Sequence, residues 1–176
     1  EKIVGSLAES GGSLEDCKNL GNKVNKNSGS MGVAFSSCIV PAAGKPTFEL
    51  RSDEMEFGVG IHGEPGRRRD KIKSAQEITN ELLNAILEDL KPENKDEILL
   101  FVNGMGGTPL SELYLIYDNA KKMLDNKKIK IVRSLVGNYC TSLEMQGASI
   151  TLTKLDQELA NHWDSSVHTA AMRWGM

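Results

Sequence analysis

The sequence feature that most constrains the fold is a continuous apolar run that ends in a glycine-rich turn. Ile98–Val102 (ILLFV) has no polar residue, which is typical of a strand buried on both faces. It leads into the turn Asn103–Gly107, after which Thr108-Pro109 has the pattern of a helix N-cap followed by a first-turn proline. The helix that begins there is expected to run to about Leu124. A buried strand followed by a helix indicates a sheet with helices packed against it.

The other elements follow from hydrophobic periodicity and from capping and turn residues. Further helices are predicted at Glu1–Ser10, Ser13–Lys26, Ser74 to about Leu90, and Asp156–Trp163. Further strands are predicted at Val33–Val40, Phe48–Leu50, Met55–His62, Ile129–Val136 and Ala148–Leu155, with a turn at Asn25–Gly32 and an irregular tail at Val167–Met176. We therefore expect a single α+β domain over residues 1–176, with one mixed β-sheet and helices packed mainly on one face, an open-faced two-layer sandwich.

Composition excludes several classes of function. A chain of 176 residues fits one domain, and its net charge of −3 favours neither nucleic acid nor an anionic membrane as partner. No apolar run reaches the length of a bilayer span. Cys17, Cys38 and Cys140 form no C-x-x-C pair, and neither they nor His162 and His168 have metal-ligand spacing, so no metal site is predicted. This use of cysteine suits the reducing cytoplasm.

The segment Met55–Gly66 (MEFGVGIHGEPG) is the predicted functional centre. Apolar residues alternate along it with a face that carries Glu56, Gly58, Gly60 and His62. Two glycines leave that face without side chains, which indicates close approach by a ligand or by another backbone, and His62 would reach into the space. The segment also matches G-x-G-x-x-G, but no helix opens inside it, so a dinucleotide site is not predicted. The alternative is a histidine hydrogen-bonded at a strand end, with glycines that serve packing.

Three further features have an ordinary structural explanation beside a functional one. The turn Asn103–Thr108 could bind an anion at a helix N-terminus, but a tight turn against a crowded neighbour is favoured. Arg67, Arg68 and Arg69 could dock an acidic partner or a phosphate, although such runs are usually solvated loops. Cys140 has no flanking base, so it is a weak candidate nucleophile.

Several of these segments together resemble the substrate-binding (K) subunit of dihydroxyacetone kinase, specifically its second, C-terminal domain. The matching stretches are Ser30–Leu50, Glu54–Gly66, Val102–Asn119, Gly137–Asp156 and the tail Trp163–Met176. They cover nearly the whole chain and occur in the family's order.

The resemblance implies that the imidazole of His62 adds to the ketone carbon of dihydroxyacetone and forms a covalent hemiaminal. Gly58 and Gly60 would complete the substrate-binding site. A neutral imidazole is a nucleophile, and a ketone can accept it whereas glycerol cannot. The adduct would also fix the substrate for in-line phosphoryl transfer, where positioning supplies most of the catalysis.

The resemblance also implies partners for this chain. The family's first domain, which supplies acid/base residues, would precede residue 1 and is absent here, so the fragment alone is expected to be inactive. No cofactor is expected on this chain: ADP or ATP and Mg²⁺ would bind to a separate nucleotide-binding L-type subunit, rephosphorylated by a phosphoenolpyruvate-driven relay. A homodimer is expected. The alternatives are a dihydroxyacetone-sensing paralogue that co-activates a transcription regulator, and a single-chain ATP-dependent dihydroxyacetone kinase.

Overall fold

The computed structural model describes residues 1–62 and 66–175. Within them the helices are α1 (Lys2–Glu9), α2 (Leu14–Lys26), α3 (Ala75–Leu90), α4 (Leu110–Asn126) and α5 (Gln157–Asp164). The strands are β1 (Ser28–Ala34), β2 (Glu54–Phe57), β3 (Arg68–Lys71), β4 (Glu97–Gly104), β5 (Lys130–Gly137), β6 (Gly147–Leu155), β7 (Val167–His168) and β8 (Arg173–Trp174). No helix in these two ranges is long and apolar enough to cross a membrane.

Six strands form one mixed sheet in the order β3-β2-β1-β6-β4-β5. Strand β6 is central and pairs antiparallel with both β1 and β4. Strand β5 pairs parallel with β4, because α4 carries the chain back along the sheet between the two strands. The predicted α+β class with one main mixed sheet is confirmed.

One face of the sheet packs against the two long helices α3 and α4. Alternate residues of the central strands point to this face, and they form the main core with the apolar stripes of both helices. Its fully buried members include Val33, Leu82, Leu100, Leu113 and Ile150. The continuous apolar run at Ile98–Val102 is explained in this way, because Leu99 points to the other face and is buried there as well.

The other face is covered only at one end. There α1, α2 and α5 pack over Leu99 and Leu155 in a second, smaller core that includes Leu159 and Trp163. The helices are thus not confined to one face, although the two longest share one. The remainder of this second face carries Ser30, Phe101 and Thr151, none of which is fully buried.

The helices agree with the sequence because local signals specify their ends. Ser13 and Ser74 each accept a hydrogen bond from the backbone N–H three residues on, at Asp16 and Glu77, and both form complete capping boxes. The helix at Leu110–Asn126 is present, but Thr108 is not its N-cap. Pro109 holds that position without a side-chain cap.

The strands agree less well with the sequence. The chain at Ser28–Gly32 was predicted as turn but pairs with Thr153–Ser149 as the first part of β1, and the predicted strand over Val33–Val40 ends at Ala34. Phe48–Leu50 is not a strand; a single bridge joins Ile39 to Pro46 instead. The tail is not irregular throughout, because Val167–His168 pairs with Arg173–Trp174.

Asn103, at the end of β4, fastens the sheet to the loop after β5. Its side chain is 2% exposed, and its Oδ1 accepts hydrogen bonds from the backbone N–H groups of Tyr139 (3.0 Å) and Cys140 (2.9 Å). Its Nδ2 donates to the carbonyl of Cys140 (2.8 Å) and to Ser149 Oγ (3.4 Å). Every donor and acceptor position of the amide is therefore used.

We predict that Asn103→Ala lowers the free energy of unfolding by about 1–3 kcal/mol, because it removes a buried amide and leaves the backbone N–H groups of Tyr139 and Cys140 without their acceptor. Urea denaturation of both proteins measures the difference. Asn138→Ala is the matched control, because Asn138 is exposed and its bonds are longer, at 3.3 and 3.4 Å. Equal losses in the two variants would contradict this role for Asn103.

Candidate functional site

An open cleft of about 370 Å³ lies on the uncovered part of the second sheet face. Its floor is built from directly paired residues of three strands: Ser30, Thr151 and Phe101 form one row, and Gly32, Ser149 and Asn103 form the next. Because paired residues lie on the same side of a sheet, these side chains share one surface. The row is rich in hydroxyl groups, and Ser30 Oγ lies 2.9 Å from Thr151 Oγ1.

These floor residues were not predicted as part of a site. A signal was present, because Ser149, Thr151 and Thr153 occupy alternate positions of the predicted strand Ala148–Leu155. A strand with a hydroxyl-bearing face and an apolar face has only one face in the core. What the sequence lacked was the cross-strand register that joins this face to Ser30 and Phe101.

One wall of the cleft is the segment that follows β2. Gly58, Val59, Gly60 and Ile61 line the cleft, and the N–H of Gly58 donates to the carbonyl of Gly32 at 2.7 Å. His62 comes directly after this wall, and its side chain is exposed rather than packed in the interior. It is not itself among the lining residues. Residues 63–65, which complete the GIHGEPG motif, lie outside the described ranges.

The predicted strand over Met55–His62 is wrong beyond Phe57. Strand β2 ends there because Gly58 has φ = +79°, a left-handed conformation that breaks the alternation. Gly58, Gly60 and His62 therefore do not form one bare strand face with Glu56. Gly58 also serves packing, since a Cβ there would lie 2.8 Å from Cγ of Arg67.

The glycine-rich turn after β4 is tightly packed. An added Cβ at Gly106 or Gly107 would overlap the carbonyl oxygens of Leu143 or Glu144. The N–H groups of Met105 and Gly107 donate to the carbonyls of Gly147 (3.1 Å) and Met145 (2.9 Å). These amides are already engaged, so the turn does not fit a phosphate.

Thr108 closes the same turn against the central strand. Its Oγ1 donates to the carbonyl of Gly147 at 2.7 Å and accepts from the N–H of Gly147 at 2.8 Å. The predicted N-cap hydroxyl is thus used to hold the turn to β6. The favoured interpretation, a tight turn against a crowded neighbour, agrees with these contacts.

The three arginines have separate surroundings. Arg67 lines the cleft, and its stem packs on Gly58. Arg68 pairs with Glu81, and its guanidinium carbon lies 4.5 Å from the ring centre of Phe57. Arg69 pairs with the buried carboxylate of Glu56, with 3.0 Å between Nη2 and Oε2. Two of the three arginines therefore have structural partners on this domain.

The edge of the sheet near these arginines carries a further ion-pair cluster. The Lys73 ammonium, which lies 2.7 Å from Oδ2 of Asp70, lowers the pKa of the Asp70 carboxyl through a hydrogen bond. The same bond, together with one to Glu81, raises the pKa of Lys73. Lys73 therefore forms ion pairs with both Asp70 and Glu81 near the protein surface.

The remaining titratable candidates do not converge on the cleft, with one exception. Cys140 is exposed and lines the cleft, whereas Cys38 is buried in a separate apolar cluster. His162 Nδ1 lies 3.1 Å from Ser6 Oγ, and His168 is in the small hairpin of the tail. Across residues 1–62 and 66–175, no group of three or more His, Cys, Asp or Glu side chains could hold a metal ion.

The chain is similar in sequence to subunits of bacterial dihydroxyacetone kinases. It is 42% identical, over 99% of its own length and 56% of the relative's, to the dihydroxyacetone-binding subunit DhaK of the PEP-dependent dihydroxyacetone kinase of Escherichia coli. It is 45% identical to the corresponding subunit of a PTS-dependent kinase of Listeria innocua, over 89% of this chain and 48% of that one. The chain spans about half the length of these curated relatives.

Solved structures show the same fold. The dihydroxyacetone kinase operon co-activator Dha-DhaQ superposes with a TM-score of 0.85 at 33% identity, over 94% of this chain and 51% of its own. The dihydroxyacetone kinase of C. freundii, solved with AMP-PNP and Mg²⁺, superposes with a TM-score of 0.80 at 26% identity, over 99% of this chain and 32% of its own.

The family model for the Dak1 domain matches residues 1–171, which is almost the entire chain. That extent agrees with the order of motifs along the sequence and with the fold shared with the solved structures. The chain belongs to the Dak1 domain family.

Proposed function

We propose that this chain is the substrate-capturing domain of a dihydroxyacetone kinase subunit, and that His62 bonds covalently to the substrate. The observation that carries the proposal is the position of His62: its exposed side chain directly follows the wall of a hydroxyl-floored cleft on the second sheet face. The relatives from Escherichia coli and Listeria innocua are named as dihydroxyacetone-binding subunits.

The proposed step is an addition without a leaving group. A ring nitrogen of neutral His62 attacks the ketone carbon, and the π electron pair of the C=O bond moves to oxygen. This oxygen is then protonated to a hydroxyl group. The ring loses its N–H proton, so the product contains every atom of both reactants. A polyol such as glycerol has no electrophilic carbon, and the reaction itself therefore selects the ketone. Gly58 and Gly60 are proposed to line the substrate site on the adjacent wall, together with Val59 and Ile61.

We propose that phosphoryl transfer then requires partners beyond this chain. As the family resemblance implies, ADP or ATP with Mg²⁺ would bind to an L-type partner subunit, recharged by a phosphoenolpyruvate-driven relay in the cytoplasm. The E. coli relative is named as PEP-dependent. A homodimer stays a prediction.

We also propose that a further domain packs over the cleft in the whole protein. The relatives are about twice as long as this chain, and the uncovered half of the second sheet face is the surface beside His62. Phe101 and Tyr139 pack there in a tilted arrangement with ring centres 6.0 Å apart, and Tyr139 is 41% exposed. Such a domain would supply the acid/base groups for the substrate hydroxyl and would exclude water.

The first prediction from the proposed function concerns the covalent bond. Intact mass spectrometry under non-denaturing conditions, with the whole protein and dihydroxyacetone, is expected to show a gain of one complete substrate molecule, and His62→Ala is expected to abolish it. His168→Ala is the matched control, because His168 is also exposed but lies in the tail hairpin. Glycerol should give no adduct with any variant. An equal adduct on His62→Ala would place the covalent site elsewhere.

Our second prediction concerns the covering domain. Cys140 should react with a thiol reagent about tenfold more slowly in the whole protein than in the isolated chain, because thiol reactivity requires access. Half-buried Cys17 lies on α2 and should react equally in both. Buried Cys38 reports whether the isolated chain is folded. Equal labelling of Cys140 in both proteins would show that the cleft is not covered.

Our third prediction separates the kinase from the sensor, which the similarity to the co-activator favours as the second candidate. Both functions share the adduct, so phosphoryl transfer must be measured. With an L-type subunit and a phosphoenolpyruvate-driven relay, the kinase forms dihydroxyacetone phosphate, and His62→Ala lowers kcat/KM by at least about tenfold because positioning is lost. Adduct formation without any product would identify the sensor.

A further inference from the structure

The sequence segment that carries His62 is held at both described ends by backbone hydrogen bonds. Gly58 and Gly66 lie four residues either side of His62. The N–H of Gly58 bonds to Gly32 on β1, and the N–H of Arg67 bonds to the carbonyl of Phe57 at 2.6 Å. These two bonds tie one end of the segment to β1 and the other to the last residue of β2.

A third bond at the far end comes from a side chain. Glu56 lies on β2, only 7% exposed, and its Oε1 accepts the N–H of Gly66 at 2.9 Å. The approach is so close that a Cβ at Gly66 would lie 2.7 Å from Cγ of Glu56 and would overlap the carbonyl of Phe57. Gly66 is therefore required where it stands, and the carboxylate contacts the backbone directly.

A buried carboxylate needs a compensating charge, and Arg69 provides it. Glu56 and Arg69 are paired residues of β2 and β3, and both Nε (3.3 Å) and Nη2 (3.0 Å) of Arg69 donate to the same atom, Oε2. The two carboxylate oxygens of Glu56 thus have different partners: Oε2 pairs with the guanidinium of Arg69, and Oε1 accepts the N–H of Gly66.

The geometry points to Glu56 as a positioning residue for His62. It contacts neither the cleft nor the proposed substrate; it fixes the end of the segment four residues beyond the imidazole. A nucleophile that must meet a small ketone in a defined geometry gains most of its rate from being held in place. This inference rests on the proposed function for its chemical consequence, but its structural part can be measured separately.

The test compares three variants of the whole protein with the wild type. Glu56→Ala removes the acceptor, Arg69→Ala leaves the carboxylate buried without its partner, and Glu56→Gln keeps an oxygen for Gly66 but loses the charge. Arg68→Ala is the matched control, since it removes a neighbouring arginine whose partners are Glu81 and Phe57 rather than Glu56.

Hydrogen exchange is the first measurement. Amides of the peptide 58–67 should exchange about tenfold faster or more in Glu56→Ala and Arg69→Ala, as expected for loss of a charge-assisted hydrogen bond. Glu56→Gln should lie between these variants and the wild type. Arg68→Ala should leave the peptide unchanged, and helix α4 should be unchanged in all four, which excludes general unfolding. Unchanged exchange of peptide 58–67 in Glu56→Ala overturns the inference.

The rate of adduct formation with dihydroxyacetone is the second measurement. It should fall about tenfold or more in Glu56→Ala and Arg69→Ala, while Arg68→Ala keeps the wild-type rate. A wild-type rate in Glu56→Ala, with His62→Ala inactive, overturns the positioning role and leaves the proposed function intact. If the wild type forms no adduct, the proposed function fails, and the exchange data alone decide whether Glu56 holds the segment.

Discussion

The antiparallel pairing of β6 with β1 and β4 is the constraint from which the rest of the structure follows. Because side chains alternate along each strand, one register decides which residues enter the core beneath α3 and α4 and which face the other way. In that register Ile150 and Leu152 are buried, whereas Ser149 and Thr151 meet Ser30, Phe101 and Asn103 on the opposite face. A shift by one residue would bury the hydroxyl groups and expose the core.

The second face then has two different halves. The apolar residues near the carboxyl end of β6 are covered by α1, α2 and α5, and the polar residues near its start are left open. The loops that meet at this open half are held by polar contacts as well as by a small apolar cluster that includes Val59, Met105 and Met145. Asn103 holds the loop after β5, Thr108 holds the glycine-rich turn, and Glu56 holds the far end of the segment that bears His62.

The sequence predicts those parts of the fold whose causes are local. Helix starts at Ser13 and Ser74 depend on residues three positions apart, and both are present as predicted. Strand β1 depends on a partner more than a hundred residues away, so its start at Ser28–Gly32 has the composition of a turn and yet pairs with β6. The end of β2 before Gly58 could not be predicted either, because an alternating sequence pattern gives no sign of a positive φ. The motif predicts a functional role for His62, which stays a prediction, whereas the burial of Glu56 was not predicted, since its partner Arg69 lies on another strand.

These differences bear on how such a site can work. Had Met55–His62 been one strand, the position of His62 would be fixed by sheet hydrogen bonds, and the glycines would serve only to clear a face. Instead the chain leaves the sheet at Gly58 and returns to it at Arg67, so the imidazole belongs to a connection that is tied to the sheet by the backbone bonds of Gly58 and Arg67 and by the buried side chain of Val59. The ion pair of Glu56 and Arg69 then bears on the position of His62, although its inferred role involves no direct contact with the imidazole. Under the proposed function, this arrangement would serve a kinase and a sensor equally, because the capture step would use only His62 and the groups that hold its segment in place.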